Sequence, residues 1–247
     1  MIGVVCAVHH AIAVQHLQDV DLRGAVRAAA AADLPRINLI EEPQAAFYSW
    51  VHRYEAKWEK LVRPGQKILI CDIGGGTSDF TLIRVRNSEE DGRLQFHRIA
   101  VGEHLILGGD NLDLALAHHV EPKLSPKGKL VSGQWDMLVR QCRQLKETLL
   151  SVDAPERVTL NLAGRGSKLV GDSLQTQVNR QQVLDLLIEG FFPVVDLDSR
   201  PTRQSGFQEF GLPYAPDSAI SRYLAEFLTI HRHAGESPDK PDQNEHD

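Results

Sequence analysis

Between Asp72 and Asp79 the chain reads DIGGGTSD, so two carboxylates and the Thr77 hydroxyl frame three consecutive glycines, Gly74, Gly75 and Gly76. A backbone without Cβ atoms can bring its N–H groups against a phosphate. Glycines at a hairpin tip are also ordinary turn chemistry, but a plain turn has no need of the flanking Asp72, Thr77 and Asp79. The stretch therefore reads as a phosphate-binding loop ahead of a plain turn. A second glycine pair, Gly108 and Gly109, stands before Asp110 and a run of apolar residues. The unpaired N–H groups of a helix starting there would point at whatever precedes it, and Asp110 as a simple helix cap is the plainer alternative. Glu41 and Glu42 precede Pro43, a place where carboxylates usually do no more than offset a helix dipole, worth a few tenths to about 1 kcal/mol. Lys146 falls near the middle of an apolar helical stripe. Either its stem packs and its ammonium reaches out to water, or it meets a ligand in a cleft.

The elements that must position these residues follow from periodicity. Ile68 to Asp72, Ser78 to Val85 and Arg93 to Val101 alternate or run apolar as strands, with Asn87 to Gly92 as a turn, giving a three-strand meander. Met1 to Val14 suggests a short strand. Asp21 to Asp33 is alanine-rich and predicts a helix closed by Pro35. Ile37, Leu39 and Ile40 read as a strand, and Pro43 opens a helix from Gln44 to about Trp58. A helix follows Asp110, and Glu121 to Gly133 reads as a loop. Trp135, Leu138, Val139, Cys142, Leu145, Leu149 and Leu150 recur at helical steps. Arg157 to Ala163 and Ser173 to Val178 pair as strands, Asn179 caps a helix to Phe192, and Ala219 to Ile230 forms another. Residues from His233 onward are polar and read as a disordered tail.

Composition bounds the function classes. With 247 residues, 42% hydrophobic and 24% charged, the chain can bury a sizeable core. A net charge of −6 gives no electrostatic case for nucleic acid or an anionic membrane. The opening apolar stretch has no basic start and is broken by His9 and His10, so it fits neither a signal peptide nor a membrane span. Three cysteines without CxxC spacing fit a reducing, cytoplasmic setting. The histidine pairs lack the helical spacing of a metal site. Gly164 to Lys168, GRGSK, lacks the ending of a Walker loop.

DIGGGTSDF resembles the second phosphate loop of the actin, sugar kinase and heat-shock chaperone superfamily. The likeness is greatest to the 70-kilodalton heat-shock protein, DnaK-like branch. INLIEEPQAA (Ile37 to Ala46) and LILGGDNLD (Leu105 to Asp113) match in the same chain order. A sugar or acetate kinase relative would share the glycine loop, but would not explain EEPQAA and LGGD together. The resemblance runs from about Ala25 to Phe192.

The resemblance implies an α/β, actin-like ATPase (ribonuclease H-like) fold, here incomplete, with a smaller α+β outer subdomain. Residues 1–60 would be a remnant of the first lobe, 61–130 the second-lobe core, 131–195 the outer subdomain, and 196–247 an extension. It implies ATP or ADP with Mg²⁺ as ligands. Gly74, Gly75 and Gly76 would donate to phosphate, and Gly108 and Gly109 would abut it. Thr77 would meet the γ-phosphate or attacking water. Asp72, Asp79 and Glu42, which matches the glutamate of the family's NEPTAA element, would hold metal-bound waters. Lys146 occupies the position of the family's adenosine-contacting lysine, although its neighbours Arg143, Glu147 and Leu150 depart from the family's contacts. Partners would be nucleotide and co-chaperones or the rest of a split chaperone, with no nucleic acid and no membrane. The chain shows no DLGTT-like first loop, no later GGST-type loop and no peptide-binding β-domain. It is therefore expected to be a partial nucleotide-binding domain, linked to ATP-dependent protein folding and a slow ATP hydrolase or none in isolation. The alternative is a non-catalytic interaction fragment that keeps the fold.

Overall fold

The computed structural model describes residues 2–6, 26–34, 40, 42–54, 57–88, 90–126, 128–164, 173–202 and 215–235. Residues 37–39 of the expected strand, residues 165–168 of the GRGSK stretch and most of the C-terminal tail lie outside them. The chain divides into two compact units. One comprises Met1–Ile73, Asp79–His104 and His231–Asp247; the other comprises Gly74–Ser78 and Leu105–Ile230.

The first unit is built on a sheet in the order β1-β2-β3-β4. Its strands are β1 (Ile2–Cys6), β2 (Lys67–Ile73), β3 (Ser78–Asn87) and β4 (Leu94–Val101). β1 runs parallel to β2, from Ile2 opposite Lys67 to Cys6 opposite Cys71. Parallel neighbours need a long crossover, and the helices α1 (residues 26–31), α2 (Glu42–Arg53) and α3 (Trp58–Leu61) lie in it. β2 and β3 run antiparallel: Gly65 N–H donates to the Val85 carbonyl at one end, and Gly74 N–H to the Thr77 carbonyl at the other. β3 and β4 are also antiparallel, with a bulge between Leu82 and Ile83. Gly92, at φ 69°, makes their turn by donating to the Ser88 carbonyl. The expected meander is therefore present.

Burial follows strand position. β2 is buried on both faces from Ile68 to Cys71, which matches its unbroken apolar run. β4, an edge strand, is mostly exposed. Ile68, Ile70, Ile83 and Val85 form one core with Phe47 of α2 and Val62, flanked by Trp50, Trp58 and Phe96. Two helix boundaries differ from expectation. α1 ends at residue 31, before Pro35, because Asp33 turns left-handed at φ 54° and Leu34 N–H reaches back to the Ala29 carbonyl. α2 stops at Arg53 instead of reaching Trp58, and the separate turn of α3 sets the Trp58 ring 5.4 Å from that of Phe96.

The second unit contains α4 (Gly109–Leu124), α5 (Ser132–Leu149), β5 (Arg157–Leu162), β6 (Leu174–Asn179), α6 (Arg180–Phe191) and α7 (Ile220–Ile230). Leu138, Cys142, Leu145 and Leu149 are the buried stripe of α5. Each leucine so buried contributes about 1.5–3 kcal/mol relative to exposure. β5 and β6 pair antiparallel. Asn179 caps α6 as expected, its side chain accepting from Gln182 N–H while Gln182 accepts from Asn179 N–H. The expected loop from Glu121 to Gly133 is shorter. α4 continues through Pro122 to Leu124, and Ser132 already opens α5. Pro122 costs α4 one backbone hydrogen bond, but buried Val120 and Leu124 hold that last turn on the core.

Asp217, 1% exposed, ties the start of α7 to Thr202. Its carboxylate accepts from the N–H groups of Thr202 and Ala219, from the Thr202 hydroxyl and from Arg222. Burial pushes this carboxyl up, yet these donors together outweigh it and hold it below its ordinary value. A depressed folded pKa means stability that is present above the unfolded value, about 3.9, and lost as pH falls through the folded one. Asp217→Asn should cost about 2–3 kcal/mol at pH 7. Thermal unfolding followed by circular dichroism should show the gap to the unaltered protein closing as pH falls below about 3.9. Among the described residues no helix is long and apolar enough to cross a membrane.

Candidate functional site

In the second unit the two glycine motifs dock on each other. Gly74 N–H donates to the Thr77 carbonyl at 2.8 Å, closing the loop. The loop's outward carbonyls then meet the first turn of α4: Gly109 N–H donates to the Gly74 carbonyl at 2.9 Å and Asp110 N–H to the Gly75 carbonyl at 2.7 Å. Gly108 is the residue before α4, its N–H held by the Asn111 side chain at 2.9 Å. A Cβ on Gly108 would stand 2.7 Å from the carbonyl oxygens of Gly74 and Gly75 and 2.8 Å from Thr77 N. Only glycine permits that approach. Asp110 is therefore not the cap but the second residue of the helix, and its carboxylate lies 3.6 Å from where a Gly75 Cβ would be.

This docking decides which backbone donors remain. The N–H groups of Gly74 and Gly109 are committed within the protein. Among the described residues, those of Gly75 and Gly76 donate to no backbone carbonyl. Both residues are at least partly exposed, and nothing lies within 4 Å of a Cβ placed on Gly76. Ser78, fully buried, anchors the far side of the loop by pairing with Leu105 and donating its hydroxyl to the Leu107 carbonyl at 2.8 Å.

Lys146 turns inward within the second unit and does not reach out to water. Its ammonium lies 2.6 Å from Asp113 Oδ1 and donates to the Gly109 carbonyl at 3.0 Å, with side chains only 14% and 4% exposed. Burial raises the Asp113 carboxyl above its ordinary value, with Lys146 and then Arg143 pulling the other way. One turn earlier, burial and the Asp113 charge push the Cys142 thiol up to about 12, so this cysteine is an inert core residue. Sequence reading missed Asp113, although a carboxylate among Leu112, Ala115 and Leu116 was the same anomaly on α4 that Lys146 is on α5.

In the first unit Glu42 is the first residue of α2, with Pro43 next, a position that suits proline. Asp72 lies near the end of β2, and Asp79 near the start of the neighbouring β3. Asp79 Oδ1 pairs with His104 Nδ1 at 2.8 Å. His104 was not foreseen, because no local pattern links it to Asp79.

The site is thus a glycine-rich hairpin loop seated on a helix N-terminus in an α/β protein. A family model described as "Hsp70 protein" matches residues 10–196, and the chain belongs to the Hsp70 family. That family has the actin-like ATPase fold, and the α/β character seen here agrees with it. Among similar proteins are a "Chaperone protein HscA homolog" of Pseudoalteromonas atlantica, 26% identical over 69% of this chain and 25% of that protein, and one of Acinetobacter baumannii, 30% identical over 52% and 19%. A "Heat shock protein 70 homolog" of Acanthamoeba polyphaga mimivirus is 29% identical over 42% and 10%. The chain spans about a quarter or less of the length of these relatives.

Proposed function

We propose that this chain is part of a chaperone-type ATPase domain that binds ATP or ADP with Mg²⁺ through the Gly74–Thr77 loop. The observation that carries the reading is that, among the described residues, the N–H groups of Gly75 and Gly76 donate to no backbone carbonyl, while the carbonyls of Gly74 and Gly75 are bonded to α4. The donor set also suits a metal-bound phosphate better than a bare anion. Asp110 places negative charge beside the loop, and a divalent cation would offset it.

In this reading Gly75 and Gly76 donate to phosphate, while Gly74, Gly108 and Gly109 shape the loop that presents them. The Thr77 hydroxyl hydrogen-bonds the γ-phosphate or the attacking water. Asp72, Asp79 and Glu42 hold metal-bound waters, and Lys146, fixed by Asp113, lines the nucleotide side. Bound Mg²⁺ supplies charge neutralisation for the phosphates. The partners proposed are co-chaperones or the remaining parts of a chaperone, in the cytoplasm, in support of ATP-dependent protein folding.

A second reading, an interaction fragment that binds without turnover, is favoured by Lys146 being fully engaged inside the protein. Calorimetry should find weak Mg·ADP binding that Gly75→Trp weakens further. Phosphoryl transfer depends on several preorganised donors, and loss of one commonly costs 10²- to 10³-fold. Single-turnover hydrolysis should accordingly be slow or absent. A rate that collapses in Thr77→Ala would establish an ATPase; equal rates in both would establish the binding fragment; no binding at millimolar nucleotide would refute both.

A further inference from the structure

We infer that His104 is a positioning residue for the Asp79 carboxylate; the inference rests on the nucleotide reading above, in which Asp79 holds a metal-bound water. The contact is built into the backbone. Gly102 N–H donates to the Phe80 carbonyl at 2.8 Å, and Leu105 exchanges backbone hydrogen bonds with Ser78 at 2.9 and 3.2 Å. The stretch carrying His104 is thus fastened on both sides of Asp79, and the imidazole is delivered to it without a flexible reach.

An ionised carboxylate can only accept, so Nδ1 must carry the proton and donate to Oδ1 at 2.8 Å. That fixes the imidazole ring and uses one carboxylate oxygen. Oδ2 is left as the oxygen that can accept from a metal-bound water, in an orientation the imidazole sets. This is how partners behind metal-site carboxylates commonly work, and their loss typically costs 10- to 100-fold in metal affinity. With a water between Asp79 and the metal the effect is smaller, about three- to tenfold.

The plain alternative is a surface ion pair with no role beyond folding. Both side chains are about a third exposed, 37% and 29%, so the pair contributes little to stability. Metal affinity and melting temperature therefore separate the two. The probe is Mn²⁺ with ADP, with free Mn²⁺ followed by electron paramagnetic resonance, on the full chain and on His104→Ala and His104→Asn. The asparagine amide nitrogen can stand where Nδ1 stands. His104→Ala should weaken Mn²⁺ binding about three- to tenfold, His104→Asn should stay within about twofold, and all three should melt within about 2 °C of one another. Unchanged affinity in His104→Ala, or equal loss in both variants, would overturn the positioning role while leaving the nucleotide reading intact. Failure of the unaltered protein to hold Mn²⁺ with ADP would overturn that reading and this role with it.

Discussion

Lys146→Ala is expected to destabilise the second unit by about 3–5 kcal/mol at neutral pH, because it strands a buried carboxylate. Asp113 is 4% exposed and has the Lys146 ammonium 2.6 Å away. The sign of the pH dependence follows from its raised folded pKa. An acid that binds its proton more tightly when folded opposes folding once ionised, so its contribution worsens as pH rises from the unfolded value through the folded one. Removing Lys146 takes away a cause that lowers the Asp113 pKa, widening that window upward. The penalty should therefore be greatest near pH 7 and shrink towards about pH 4, where Asp113 protonates in both states. Urea unfolding at both pH values checks this, and a penalty independent of pH would contradict it. Replacing both partners, as Asp113→Leu with Lys146→Met, should be far milder than Lys146→Ala alone.

This pair marks a boundary of what the sequence can say. Helical spacing alone placed Lys146 on the buried stripe of α5, and the same rule would have placed Asp113 on that of α4. Periodicity reports which face a residue shares within one helix, but not which residue of another helix it meets. The strands of the meander, the Asn179 cap and α7 were legible because alternation, capping chemistry and amphipathic spacing are local. The continuation of α4 through Pro122 was not, because buried contacts at Val120 and Leu124 override the local cost of proline.

Gly108→Ala should cost about 3–5 kcal/mol. The new Cβ would lie 2.7 to 2.8 Å from three backbone atoms, Gly74 O, Gly75 O and Thr77 N, none of which can swing aside as a side-chain end would. Relief requires α4 to back away from the loop. That gives up the bonds from Gly109 and Asp110, each worth about 1 kcal/mol net, on top of about 1–3 kcal/mol for overpacking. Gly76→Ala is the matched control: nothing lies within 4 Å of its Cβ position, so its stability should change by no more than about 0.5 kcal/mol. Melting temperatures of the two variants make the comparison, and equal shifts would show that the docking is not tight. This docking was hidden from sequence reading for a physical reason. DIGGGTSD and LGGD each looked like a surface offered to a ligand, whereas much of their hydrogen-bonding capacity is spent on each other.

The central claim is that the loop's remaining donors, Gly75 and Gly76, face a metal-bound phosphate. The most direct measurement is the amide resonances of the glycine loop, in isotope-labelled protein titrated with Mg·ADP and then with a chelator. Gly75 and Gly76 should shift on titration and return when Mg²⁺ is removed, while Gly74, whose N–H is already held by Thr77, should move least. Shifts confined to residues outside the loop, or none at millimolar nucleotide, would contradict the account.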